Sequence, residues 1–177
     1  SLSTTSYFSI MVEMPWYTTT FRNENGSTYK QDTRQVGTFK APASPADKTG
    51  YTFAGWTDVK GSTRVIYKTL DDIKPTSSKD YYPVYTPNSY TVRFYSDSDL
   101  LGDYVEQSFT YDAEQALKTN TFTSPTGDFK NWKDAADGSK TYENGQTVKN
   151  LTAENGAMIT LYAEWSEYFY TVAFSGN

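Results

Sequence analysis

Hydrophobic and polar residues alternate through several short stretches of this chain. In YTVRF (90–94), Tyr90, Val92 and Phe94 alternate with Thr91 and Arg93, the period-two pattern of a half-buried strand. In ITLYAEW (159–165), Ile159, Leu161, Ala163 and Trp165 share the face predicted to be buried, and Thr160, Tyr162 and Glu164 share the other. DYYPVY (80–85) reads the same way, with Tyr81, Pro83 and Tyr85 inside. Pro83 cannot donate to a ladder, so its strand is predicted at an edge or with that position turned from a neighbour. Asn25-Gly26 marks a hairpin turn, since both residues tolerate positive φ, and STYKQDTRQV and DYVEQSF read as return strands. In DAEQALK (112–118), Asp112 with Gln115 three residues on predicts one or two helical turns. At the matching place GTFKAPASPADK carries Pro42 and Pro45, which forbid a regular helix, so a short helix is optional to the fold.

These elements recur. YTTTF, YTVRF and YTVAF begin at Tyr17, Tyr90 and Tyr170, spacings of 73 and 80 residues. Phe53 and Trp56 of GYTFAGW return as Phe129 and Trp132 of TGDFKNW. Tyr67 and Tyr142 follow these tryptophans at 11 and 10 residues, and each unit closes on an aromatic strand, DYYPVY or TLYAEW. Landmarks in one order at nearly one period identify a repeat. The division expected is a repeat unit at 15–87 and a second at 88–166. Residues 1–14 would be the tail of a preceding unit, with SYFSIMV at the place of its closing strand, and 167–177 the first strand of a third.

Phe53 and Trp56 are three apart, so in an unbroken strand they would face opposite sides. Gly55 lies between them, and the second copy has Asn131 there. Both residue types tolerate the left-handed region, and a bulge at Gly55 and Asn131 would return both rings to one core. The alternative is that the strand ends and Trp56 lies on the surface. The expected core anchors are Phe21, Phe53, Trp56, Phe94, Phe129, Trp132 and Trp165.

With YTVRF, GYTFAGW and ITLYAEW quoted, the chain resembles the Listeria–Bacteroides repeat family, the internalin B-type B repeats, which are related to mucin-binding modules. The resemblance covers most of the chain, with TGDFKNW and DYYPVY as variants of the motifs. It implies a mainly β module, small, ubiquitin-like and β-grasp-related, strung in tandem in bacterial surface proteins as spacer, stalk or adhesin segment. It transfers no catalytic residues.

Composition narrows the chemistry. Aromatics make up 17%, including 16 tyrosines, so small cores can be built from rings, each burying about 150–250 Å². Net charge is −5 with scattered cations, which argues against nucleic acid as a partner. No apolar run is long enough for a membrane span. Cysteine and histidine are absent, so within this chain no disulfide, thiolate or histidine metal site, or Ser-His-Asp triad can form. No cofactor is expected. Asp71-Asp72 and the pair Asp97 and Asp99 fall in predicted turns, where aspartate serves the turn, so no enzyme is expected. The short linkers TPNS and SEY, the first stiffened by Pro87, suit a rod.

The reading is a non-catalytic extracellular module of a Gram-positive surface protein, with neighbouring repeats and a host glycan or surface protein as partners. The alternative is a carbohydrate-binding module, because sugars stack on exposed rings. Tyr82 and Tyr162 on the outer faces of the closing strands, and Tyr95 after the opening strand of the second unit, are the candidate platforms.

Overall fold

The computed structural model describes residues 9–169 and 171–174. The chain forms two compact units. The first holds the described residues up to Asp47 and Phe53–Tyr85, and the second holds Lys48–Thr52 and the described residues from Thr86 onward. All regular structure among the described residues is strand. In chain order the strands are β1 (Tyr17–Arg22), β2 (Thr28–Arg34), β3 (Phe39–Lys40), β4 (Tyr51–Thr57), β5 (Asp72–Ile73), β6 (Lys79–Pro87), β7 (Ser89–Tyr95), β8 (Tyr104–Thr110), β9 (Gln115–Ala116), β10 (Phe129–Asp134), β11 (Thr141–Tyr142), β12 (Thr147–Val148) and β13 (Met158–Trp165).

The first sheet has the order β2-β1-β6-β4 and the second β11-β10-β13-β7-β8. In each, an opening hairpin is antiparallel, β1 with β2 and β7 with β8. The closing strand then returns parallel to the opening one, with Phe21 opposite Tyr81 and Phe94 opposite Leu161. Two-stranded ribbons, β3 with β5 and β9 with β12, complete the units.

Rings build both cores. Phe21, Trp56 and Tyr81 are buried with Ala41 and Ile73 in the first. Phe94, Phe109, Trp132 and Tyr90 are buried with Val92, Leu117, Val148, Leu161 and Ala163 in the second. Phe53, Phe129 and Trp165 are half-buried and pack against these clusters. The Trp165 indole N–H donates to the Ser96 carbonyl at 2.8 Å. On β13 the alternation holds residue by residue: Leu161 and Ala163 are buried, and Ile159 and Trp165 pack on the same core.

Three sequence expectations meet the structure differently. The helix over 112–118 is not formed; Gln115 and Ala116 lie in β9. The residues that mimic a capping box make a turn instead. Asp112 sits at φ 63°, and the Gln115 side chain accepts from Thr110 N–H (2.9 Å) and donates to the Ser108 carbonyl (3.2 Å). These bonds satisfy the backbone as a turn would, which removes the drive to a helix. The Asp112 carboxyl is held below its usual range by hydrogen bonds from Asn150 and Tyr51. Of the two placements expected for Pro83, the edge strand is wrong, since β6 lies between β1 and β4, while the other agrees with the β1 ladder, which ends at Tyr81, before the proline. Of the terminal segments, residues 1–8 and Tyr170 lie outside the described residues, and 9–16 and 171–174 form no strand.

Candidate functional site: a tyrosine row on the second sheet

The strand register of the second sheet sets a line of side chains across four strands. Lys133 of β10 lies opposite Tyr162 of β13, Tyr162 opposite Tyr95 of β7, and Tyr95 opposite Tyr104 of β8. Directly paired residues share a face. This is the outer face, because Leu161 and Phe94, the neighbours of Tyr162 and Tyr95 in sequence, point into the core. With strands about 4.8 Å apart, the three tyrosines span about 10 Å.

Their surroundings are polar. Tyr95 and Tyr104 have ring centroids 5.5 Å apart. The Arg93 guanidinium lies 4.5 Å from the Tyr104 ring centroid, donates to Glu106 at 2.8 Å and reaches the Tyr95 hydroxyl at 3.4 Å. Toward the other end Glu164 faces Lys130 and Lys133 at 3.5 and 3.7 Å. Partial burial pushes the Glu164 carboxyl up, but the hydrogen bond from Asn131 and the two lysines outweigh it, and the group rests below its usual range. The row therefore offers ring surface framed by fixed charges of both signs, suited to stacking and hydrogen bonding.

The first sheet does not repeat the row. The β1–β6 pairing ends at Phe21–Tyr81, before Tyr82, and Arg22 of β1 pairs with Thr28. Arg22 is bound to Asp80 at 2.9 Å and to the Thr28 hydroxyl at 2.9 Å. Tyr82 is a half-buried single ring at the rim of a shallow hollow with Glu24, Lys60 and Pro83. Of the sequence candidates, then, Tyr95 and Tyr162 stand together and Tyr82 stands apart. Tyr104, 52% exposed, was missed. Its signal was the length of the polar turn: counting back along the β7–β8 hairpin would have set it opposite Tyr95.

The other motifs are consumed by structure. Asp97 and Asp99 accept backbone N–H groups of their own turn, Asp99 and Leu101 respectively. Asp71 accepts from Lys68 N–H and Asp72 pairs with Lys40 at 3.0 Å. Of the expected bulge positions, Gly55 has φ 144°; in β10 the register shifts between Phe129 and Asn131, so Lys130 is the residue left out of the pairing and Asn131 does not take a positive φ. Trp56 and Trp132 are both fully buried.

Two β units on one plan, each with a phenylalanine–tryptophan core, define a tandem-repeat protein. The chain belongs to the Listeria-Bacteroides repeat domain family, which matches residues 17–82 and again 90–164. It is similar to Internalin H of Listeria monocytogenes, 34% identical over 145 residues, covering 78% of this chain and 24% of that protein. It is also similar to a protein of Evansella cellulosilytica named "Putative Gly-rich membrane protein", 29% identical over 138 residues, covering 73% of this chain and 16% of that one. The chain thus spans a quarter or less of these relatives' length.

Proposed function

We propose that this chain is a non-catalytic, extracellular repeat segment of a bacterial surface protein, a stalk or spacer within an adhesin. The observation that carries this reading is the duplicated core. Phe21 meets Trp56 and Phe94 meets Trp132 at the same centroid distance, 4.8 Å, so the chain invests its residues in repeating one scaffold. Membership of the repeat family and the likeness to an internalin support it. In the second sheet a central parallel pair, β13 with β7, flanked by antiparallel β10 and β8 supports the β-grasp relationship. The units read as modules bounded near 15–87 and 88–166. The test is protease treatment of intact cells that express the parent protein. Loss of the repeat from an anti-repeat immunoblot, while a cytosolic marker survives, supports the reading; protection of the repeat until lysis overturns it.

The tyrosine row favours a second reading, binding of a surface glycan. Pyranose rings stack on aromatic faces, and an extended saccharide would cross the strands from Tyr162 to Tyr104 with Glu164, Lys133 and Glu106 as hydrogen-bonding neighbours. Affinity electrophoresis through gels containing polysaccharides tests it. Retardation that disappears in Tyr95→Ala and Tyr162→Ala supports it, and unretarded migration in every polysaccharide tried removes it.

A further inference from the structure

The two units differ at one place where their backbones agree. In the second unit the gap between edge strand β8 and ribbon strand β9 is bridged: the Gln107 amide donates to the Ala116 carbonyl at 2.9 Å. Leu117, buried, fills the floor beside it. The register places Asp32 of β2 where Gln107 stands and Lys30 where Val105 stands. Ribbon pairing places Ala41 where Leu117 stands. Each change opens the first unit. Asp32 turns to Arg34, which donates to both of its carboxylate oxygens and ties the far end of β2 to the Thr38 carbonyl, so the opening is confined to the Lys30–Asp32 stretch, and Ala41 leaves the volume that Leu117 fills. The result is a groove of 440 Å³ along β2, lined by Phe21, Phe39, Ala41 and Leu70 with Lys30 and Lys40 at its rim.

Leu70 supplies an independent sign. It is 67% exposed and holds φ 68° where the matching residue of the second unit is Gly145, φ 72°. A leucine in the left-handed region is strained, and strain of this kind gathers at ligand-binding places. Here it presents an apolar side chain at the mouth of the groove.

From these features we infer that the first unit has a peptide-binding groove: an extended segment of a partner protein adds as a strand to β2 and sets one apolar side chain against Phe39 and Leu70, above the buried Ala41, with an acidic residue beside Lys30. Strand β2 is the edge of its four-stranded sheet, and an edge presents unpaired backbone groups to a fifth strand. Strand addition beside a pocket takes affinity from those groups and specificity from the pocket. The rim sets the charge. Asp32 and Asp72 are satisfied by Arg34 and Lys40, while among the described residues Lys30 has a ring contact with Tyr29 and no carboxylate partner. A glycan fits poorly, because Phe21 is 2% exposed and Phe39 has the Arg34 guanidinium 4.7 Å from its ring centroid, so the floor has no free face to stack a sugar. A second copy fits poorly too. Antiparallel β2–β2 pairing centred on Asp32 would set Lys30 against Arg34, and directly opposed like charges destabilise a sheet.

The test uses the ¹⁵N-labelled 177-residue chain and the synthetic peptide TVELEVT, capped at both ends, followed by amide chemical shifts. The expected result is saturable shifts at 28–34, 39–43 and 69–70. The peptide TPELPVT, which cannot complete a strand ladder, and TVKLKVT, with reversed charge, should bind at least tenfold more weakly. Lys30→Glu, at an exposed position that leaves the fold intact, should weaken TVELEVT at least tenfold, and Ala41→Leu should abolish binding by refilling the groove. The inference is overturned by the absence of shifts at millimolar peptide, by an equal response to TPELPVT, by shifts centred on the second unit, or by chitohexaose moving the same amides. It does not depend on the tyrosine row.

Discussion

The rings of Phe21 and Trp56 meet edge-on, 4.8 Å between centroids and 69° between planes. Phe94 and Trp132 repeat the contact at 4.8 Å and 61°. The tryptophans are tied in the same way at their polar ends. Trp56 Nε1–H donates to the Pro42 carbonyl at 2.8 Å and Trp132 Nε1–H to the Lys118 carbonyl at 3.2 Å, each acceptor 14 residues upstream. Edge-to-face pairs add about 0.5–1.5 kcal/mol beyond burial. The buried indole N–H is satisfied at the same time, so the ring can occupy the centre of a small core without an unpaired donor.

Removing this anchor should be costly. Trp132→Ala is expected to lose about 3–5 kcal/mol of stability by cavity formation. Trp132→Phe should lose less, with about 0.5–1.5 kcal/mol of the cost coming from the lost hydrogen bond to the Lys118 carbonyl. Urea titration followed by circular dichroism measures both; an unchanged midpoint in Trp132→Ala would show that the ring is not an anchor.

Gly55 should resist any side chain. At φ 144° a Cβ would be forced against the Tyr67 carbonyl oxygen and the Val65 side chain, and Tyr67 O is the acceptor for Trp56 N–H at 2.7 Å. Backbone strain of this kind costs about 1–3 kcal/mol, and the clash with backbone adds to it. Gly55→Ala should therefore lower the melting temperature and, in amide-exchange measurements, deprotect Trp56. A variant as stable as the parent would mean that the strand can shift to admit a methyl group.

Leu70 and Gly145 predict opposite effects at one backbone position. Leu70→Gly removes left-handed strain of about 1–2 kcal/mol but gives the unfolded chain extra freedom of about 0.4–1 kcal/mol, so a net gain between zero and about 1.6 kcal/mol is expected. Gly145→Leu should lose a similar amount. Thermal denaturation of both variants checks the pair, and a destabilised Leu70→Gly would show that the leucine side chain contributes packing that outweighs its strain.

Alkali should weaken the first unit through Tyr81. Burial first, then the neighbouring Tyr67 and Asp58, push its phenol well above the ordinary tyrosine range. The folded state thus keeps a proton that the unfolded chain releases above about pH 10. Stability from this group is fully present below that pH and falls as pH climbs toward the folded-state value. Tyr81→Phe should flatten the decline in urea midpoint between pH 9 and 11; an identical slope would assign the loss to other groups.

Much of this was legible in the chain. Strict alternation in YTVRF and ITLYAEW specified strands and their buried faces, because a period of two leaves one set of side chains on each side. The repeat was legible because both cores are made of rings, and a tryptophan three residues past a phenylalanine is rare enough to mark a period. The 112–118 segment was misread because the Asp–Gln spacing that caps a helix can equally close a turn, and only the position of Asn150 and the Thr110 backbone decided between them. The tyrosine row was half visible. Tyr95 and Tyr162 could be placed on outer faces, but their adjacency depends on which strands pair and in what register.

By itself, then, the sequence determined the all-β class, the doubling of the unit and the aromatic anchors, since these follow from local periodicity and from what each side chain tolerates. Only the tertiary structure decided that Tyr162, Tyr95 and Tyr104 form one line, and that the first unit is open along β2 where the second is closed. Both depend on strand register and on how side chains far apart in the chain fill one volume, and neither is encoded by any single stretch of residues.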